Sequence, residues 1–518
     1  MLKFIIFYII TTPRWVNCHA ASCRIKVICF IKRFNLPYQL IAHPPYTTRK
    51  QAFAVKYDRL SISTRISPCK AIRSYFCILK LIKMKKGFIY ALLAVATIPV
   101  TAQKIEYTEY KLKNGLQVIL HQDKSAPVVA VSVMYHVGSK DEQPNRTGFA
   151  HFFEHLLFEG TANIKKGEFQ NIVSANGGIN NANTSVDRTY YFELFPSNQL
   201  ETGLWLESER MLHPVINEIG VKTQNEVVKE EKRLRYDNQP YGNFLGEIRK
   251  RLFTKHPYRW IPIGSMADLD AASLGEFQDF FKKFYTPANA VLAIAGDIDI
   301  AKTKLLVESY FADIPPGTPI VKSTFVEEPI TKEIVDTAYD SNIQIPAIMA
   351  GYRIPGMTSD ENTAMEMISS VLSTGKSSRL YKKMVDEKKN ALQVGSFNNS
   401  MEDYGAYILY AIPNNNTEPD TLLKNIDEEI AKLQTDLISE QEFTKLQNQF
   451  ENDYLDNNNR MIKVAENLAS GYTFYKNINY ANEALDKIRK VTREDIRMAA
   501  KKYLNKNQRV LLYYLPKK

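Results

Sequence analysis

Hydrophobic positions along this chain follow two periods. V-V-A-V-S-V-M-Y at residues 128–135 and A-I-M-A-G-Y-R-I at 347–354 are apolar runs of strand length, rich in β-branched and aromatic residues. Between such runs lie longer helical patterns, including the apolar stretch G-F-A-H-F-F-E-H-L-L-F at 148–158. A second regularity operates over a much longer distance. S-L-G-E-F-Q-D-F-F-K-K-F-Y-T-P-A-N-A-V-L at 273–292 matches the pattern of T-R-E-D-I-R-M-A-A-K-K-Y-L-N-K-N-Q-R-V-L at 492–511, ungapped, at a shift of 219. Each copy opens on a hydroxyl residue followed three positions later by an acid, Ser273 with Glu276 and Thr492 with Asp495, the signature of a capping box. Each then predicts a helix ending in Lys-Lys-aromatic, a short break and a strand, V-L-A-I-A in one and V-L-L-Y-Y in the other. Duplication explains the ungapped match better than two unrelated amphipathic helices. The segment I-P-P-G-T-P at 314–319 suits a seam between the copies. The pattern predicts two homologous α+β domains, residues 103–318 and 319–518, each a largely antiparallel sheet packed with helices.

Composition changes the picture at the N-terminus. Residues 1–83 hold 15 Lys and Arg against one acid, Asp58, together with all five cysteines. From Met84 the texture is that of a secretory signal peptide: M-K-K, an apolar core, then Val100 and Ala102 before Gln103. A signal peptide works at an N-terminus, so residues 1–83 are expected to be a non-native upstream extension or a disordered leader, and 84–102 the signal. The formal net charge of +11 then misleads. Removing 17 of the 67 basic and one of the 56 acidic residues leaves 50 against 55, a mildly acidic chain. No argument for nucleic acid survives, because the basic excess belongs to the leader. With no cysteine after residue 102, an exported chain relies on its packed core rather than on disulfides. The expected location is the periplasm or the extracellular medium, without a stable membrane span after cleavage.

The chemistry concentrates in the apolar helix at 148–158. A period of 3.6 residues brings His151, Glu154 and His155 to one face, and burying such groups without partners costs about 1–3 kcal/mol each. Two readings resolve that cost: a pair of hydrogen-bonded histidines on an ordinary amphipathic helix, or a zinc ion held by both imidazoles with Glu154 acting on water beside it. The interposed glutamate makes the string an H-x-x-E-H signature, the inversion of H-E-x-x-H, and favours the metal.

With G-G-I-N-N-A-N-T-S-V-D-R-T-Y-Y at 177–191 and Q-N-E-V-V-K-E-E-K-R-L-R-Y-D-N-Q-P-Y-G at 224–242, the chain resembles the pitrilysin family of zinc peptidases, the inverzincins. It is most similar to the mitochondrial processing peptidase-like branch in its bacterial, exported form. The resemblance implies one Zn²⁺ per chain, held by His151, His155 and a glutamate of the second motif. Glu231, 76 positions after His155, has the family spacing; Glu230 and Glu226 are its rivals. Glu154 is the implied general base, and Asn181 and Ala182 mark the strand edge that would take an extended peptide. Gln224 stands where the family often carries another glutamate.

Family members assemble four such domains into a clamshell, so two domains form half of one and imply a dimer. Self-sufficient members carry an Arg and a Tyr seven residues apart in the second half. Alignment puts Asp386 and Gln393 there, with Arg379 and Tyr381 nearby should the register slip. The expectation is therefore a heterodimer with a related zinc-less subunit that carries the Arg-Tyr pair, otherwise a homodimer. The implied activity is a zinc metalloendopeptidase hydrolysing peptides or small unfolded polypeptides inside a dimeric chamber. The alternative is a non-catalytic or assembly subunit of such a heterodimer.

Overall fold

The computed structural model describes residues 104–414 and 416–517. The expected extension at 1–83 and the signal peptide at 84–102 lie outside the described residues.

Six strands build the first sheet: β1 (Thr108–Lys111), β2 (Gln117–Gln122), β3 (Val128–Tyr135), β4 (Ile179–Thr184), β5 (Thr189–Pro196) and β6 (Ala290–Gly296). Their order is β1-β2-β6-β3-β5-β4. Five strands build the second: β7 (Ile334–Asp340), β8 (Ala347–Pro355), β9 (Ala391–Ser400), β10 (Tyr404–Pro413) and β11 (Arg509–Pro516), in the order β7-β11-β8-β10-β9. In each sheet one neighbouring pair is parallel, β2 with β6 and β7 with β11, and the other pairs are antiparallel. This is the expected α+β architecture, and the two strand orders superpose element for element once β1 is set aside.

The repeat read from the sequence is visible in the coordinates. Leu274–Phe284 and Arg493–Tyr503 are helices, each opened by a complete capping box, from Ser273 with Glu276 and from Thr492 with Asp495. Each leads into an inner strand, β6 or β11, that pairs parallel on one side and antiparallel on the other. No helix or strand lies between Phe311 and Ile334.

Helices α1 (Phe149–Leu156), α2 (Leu200–Leu212), α3 (Glu218–Lys232), α4 (Phe244–Leu252) and α5 (Leu274–Phe284) belong to the first half; α6 (Glu361–Ser373), α7 (Met461–Tyr475) and α8 (Arg493–Tyr503) belong to the second. Alternation along each strand gives every sheet two apolar faces. Val129, Val131 and Val133 pack with Phe152 of α1, Leu204 of α2 and Phe277 of α5. In the second sheet Ile348, Ala350 and Tyr352 pack with Ile368 of α6 and Ile496 of α8.

The remaining faces are covered crosswise. Helix α7, from the second half, lays Val464, Ala465, Leu468 and Ala469 on Ala130, Met134 and Ala293 of the first sheet. Helix α4, from the first half, lays Ile248 and Leu252 on Met349, Ile408 and Leu512 of the second. Gly351 permits that close approach, since a Cβ there would meet Ile248 Cγ1 at 2.9 Å. Each half therefore completes the core of the other.

A polar cluster also joins the halves. Lys140 pairs with Asp187 at 3.0 Å and with Glu402, His136 Nε2 lies 2.7 Å from Glu402, and Glu402 N donates to Asp187 Oδ2 at 3.0 Å. Tyr258 Oη donates to Asp187 and accepts from Asp403 N at 3.1 Å.

Candidate metal centre

Helix α1 is held by its apolar face. Phe149 and Phe152 stack on Phe277 of α5 with centroids 4.6 Å apart, and Phe153 stacks on Phe280. Its backbone is held at both ends. The buried Glu142 carboxylate accepts from Gly148 N and Ala150 N, each at 2.9 Å, satisfying two of the amides that a helix N-terminus leaves open. Tyr191 Oη, reaching up from β5, donates to the Phe153 carbonyl at 2.7 Å. Gly148 starts the helix at φ +97°, where a Cβ would also lie 2.9 Å from the Ile263 carbonyl.

Helix α3 packs against α1 and brings the third residue. Asn217 opens it, its side chain accepting from Gly220 N at 2.9 Å. Near the other end, Glu231 directs Oε2 at both histidines, 3.4 Å from His151 Nε2 and 3.0 Å from His155 Nε2. The His151 and His155 rings meet edge to face at 4.8 Å, and one ligand atom from each of the three residues lies within 4.8 Å of the others. The sequence rivals are elsewhere: Glu230 and Glu226 are exposed and pair with Arg233 and Lys229. Gln224 donates to Glu159 Oε1 at 2.5 Å, tying α3 to the turn after α1.

The electrostatics suit a cation. Burial, reinforced by the neighbouring His155, pushes the His151 imidazole down to about 4, so it is neutral and offers a lone pair. The adjacent His155 ring holds the Glu231 carboxyl below its usual range. Glu231 Oε2 is buried with only the two imidazole nitrogens beside it, a poorly satisfied carboxylate oxygen that a metal ion would pair. The donor set of two imidazoles and one carboxylate fits zinc with an open fourth position. Arg235, in the π-helical turn that follows α3, lies 2.9 Å from Glu231 Oε1, leaving Oε2 for the metal side. Glu154 stands outside the cluster, half-buried, and burial raises its carboxyl above the ordinary value.

Strand β4 borders α1 and is one of the two edge strands of the first sheet, opposite β1. Ser185 N donates to Arg188 O, and alternation from that bond leaves the backbone groups of Asn180, Ala182 and Thr184 facing outward. Ala182 N is covered by the side chain of Asn181, whose Oδ1 accepts at 2.9 Å. In the second half, Asp386 is exposed, Gln393 donates to Tyr410 Oη at 3.1 Å, and Arg379 is committed to Glu442 through two 2.9 Å bonds. Glu142 carries no motif signal in the sequence, whereas Tyr191 and Arg235 lie within the family-like stretches at 177–191 and 224–242, and what each braces is visible only in the fold.

A His-His-Glu cluster on two packed helices, set beside an open strand edge in a duplicated α+β fold, defines a candidate zinc centre. The chain belongs to the insulinase family, peptidase family M16: residues 117–253 match that family's description and residues 271–450 that of the peptidase M16 inactive domain. It is 30% identical over 413 residues to a protein named zinc protease PqqE from Helicobacter pylori, covering 78% of this chain and 92% of the relative. An uncharacterized zinc protease of Rickettsia felis is 23% identical, with 76% and 93% covered. A solved protease from Helicobacter pylori superposes with TM-score 0.76 at 29% identity, covering 80% of this chain and all of that one. The first half of the periplasmic protease PqqL from Escherichia coli shares the fold at TM-score 0.65 and 16% identity, covering 80% and 93%.

Proposed function

We propose that the chain is a zinc metalloendopeptidase that hydrolyses peptides or small unfolded polypeptides, with His151, His155 and Glu231 as metal ligands and Glu154 as general base. The observation that carries this reading is the convergence of those three side chains while Glu154, on the same helix face, is left free. Zinc bound there would supply the charge that polarises a scissile carbonyl and acidifies water. Glu154 takes a proton from the attacking water at its carboxylate as the C–O bond forms, then returns it to the amine as the C–N bond breaks. Its burial-raised carboxyl is matched to both acts, since a stronger acid would be a poorer base. The edge of β4 at Asn181 and Ala182 receives the peptide as an added strand, so backbone pairing supplies affinity with little selection among side chains.

Asp386 and Gln393 favour a heterodimer in which a related zinc-less subunit contributes an Arg-Tyr pair; a homodimer is the other arrangement. Export to the periplasm or medium follows from the signal-like segment at 84–102, and the domain limits proposed are 103–318 and 319–518. No helix among the described residues is long and apolar enough to cross a membrane. A non-catalytic role as an assembly subunit has one observation in its favour, the match of residues 271–450 to an inactive domain. That match begins near the end of the first half, runs through most of the second, and leaves His151, Glu154, His155 and Glu231 outside it. Measuring zinc stoichiometry, oligomeric state and cleavage of a quenched-fluorescence peptide on one preparation separates the readings. Stoichiometric zinc without cleavage, even after a related Arg-Tyr subunit is added, would overturn the peptidase assignment.

A further inference from the structure

The turn joining β4 to β5 carries a cation whose partners belong to opposite halves of the chain. Arg188 donates from Nη1 to the Asn183 side chain and, at 3.5 Å, to the Asn183 carbonyl, while Nη2 donates to Glu466 Oε1 at 2.6 Å. Asn183 lies on the open edge strand; Glu466 lies on α7, the helix that the second half lays over the first sheet. Both charged side chains are only 15% exposed, so this pair is shielded from the screening that makes surface pairs weak. Glu466 is steadied by Lys463 at 2.7 Å. The guanidinium lies 5.1 Å from the centroid of the Tyr190 ring, and Tyr190 Oη in turn donates to the Ile462 carbonyl on α7 at 3.5 Å.

The hairpin does not need this pair in order to close. Ser185 N donates to the Arg188 carbonyl at 2.8 Å, and Ser185 Oγ accepts from Asp187 N and Arg188 N at 3.1 Å. The Arg188 side chain is thus available for a task beyond the turn. Along β4, Asn181 and Asn183 are exposed whereas Ala182 is buried, so Asn183 stands on the face opposite the one that Ala182 and Thr184 present to α1. A fork of donors that joins Asn183 to α7 fixes the strand's far face, and with it the height of the near face above the metal helix.

We infer that Arg188 and Glu466 form a positioning clamp by which the second half holds β4 against the metal helix, and so sets how an extended peptide registers over the His-His-Glu cluster. The inference rests on the proposed role of β4 as the peptide-receiving edge. Neither residue touches the peptide; both act through Asn183. The inactive half thereby tunes substrate affinity without contributing a group to the chemistry.

The test uses the purified, zinc-loaded protein with Glu154→Gln, so that a fluorescein-labelled casein peptide binds without being cleaved. Arg188→Ala and Glu466→Ala should each raise the peptide Kd about five- to tenfold and speed hydrogen exchange at the β4 amides, with zinc content unchanged. The double variant should bind no worse than either single one. Arg188→Lys, which keeps a cation able to donate to Asn183 or Glu466, should recover part of the affinity lost in Arg188→Ala. Unchanged Kd in both single alanine variants, or a folded, zinc-loaded Arg188→Lys variant that binds no better than Arg188→Ala, overturns the clamp alone. Parent protein that holds zinc but does not bind the peptide removes the peptide-edge reading, and the clamp with it.

Discussion

At the scale of single residues the proposed site divides what needs a metal from what needs a proton. Glu154→Gln keeps the shape of the side chain and removes its basicity, so peptide cleavage should fall by at least about a hundredfold while zinc stays stoichiometric; parallel metal analysis and single-turnover assays check both halves of that statement. Arg235 bears on the proposed ligand Glu231 rather than on water. Its hold on Glu231 Oε1 keeps Oε2 turned toward the histidines, and Arg235→Ala should weaken zinc affinity up to about tenfold, less in high salt because the arginine is 72% exposed. Competition with a fluorescent chelator at two ionic strengths measures this. Much of the residue chemistry was legible from spacing: an i, i+3, i+4 trio on a greasy helix has few comfortable fates in the absence of a ligand. The choice among Glu226, Glu230 and Glu231 rested on the family resemblance, since periodicity excludes only that neighbours share a direction. Glu142 left no signal and Tyr191 only its place in the 177–191 stretch, because each meets α1 only after the chain has folded back on itself.

At the scale of elements, what counts is how each helix is started and braced. Gly148 begins α1 in a left-handed conformation against the Ile263 carbonyl, so Gly148→Ala combines backbone strain with a close contact. It should cost about 2–3 kcal/mol, seen as a lower denaturant midpoint and, because the strain falls at the helix of the proposed metal site, as weaker zinc binding. The capping boxes of α5 and α8 were readable as Ser273…Glu276 and Thr492…Asp495 because a cap is a local device. The crosswise packing of α4 and α7 was not. Both helices read as ordinary amphipathic segments, and periodicity says that a face will be buried without saying which sheet will bury it. Strand β4 is read best as an exposed edge with its own safeguard. I-N-N-A-N-T is polar for a strand, and Asn181 covers the outward amide of Ala182, so the edge is blunted against pairing with stray chains.

At the scale of the whole molecule, the reciprocal helices make the halves interdependent. A chain ending at residue 318 would lose α7 and expose Ala130, Met134 and Ala293 of the first sheet to water. It should be expressed as an aggregating or loosely packed species, whereas the full chain should unfold in a single transition seen alike by near- and far-ultraviolet circular dichroism. The polar seam adds a dependence on acidity. Burial alone would raise the Glu402 carboxyl, but His136 and Lys140 outweigh it and hold the group down to about 2, against an ordinary 4.5. A depressed carboxyl stabilises the fold fully above about pH 4.5, and that contribution is lost as pH falls toward about 2. Glu402→Gln should therefore cost about 2 kcal/mol at neutral pH and flatten the fall in melting temperature across that acid window, as read by calorimetry.

The exchange of α4 and α7 also limits how the protein can admit a substrate. A segment without helix or strand between Phe311 and Ile334 looks like a hinge, but a hinge needs halves that can part, and these are riveted together by helices seated in each other's sheets. Opening within one chain would tear two apolar cores at once. If the protein works as half of a clamshell, the lever that opens it is the subunit contact, and each chain swings as a rigid jaw.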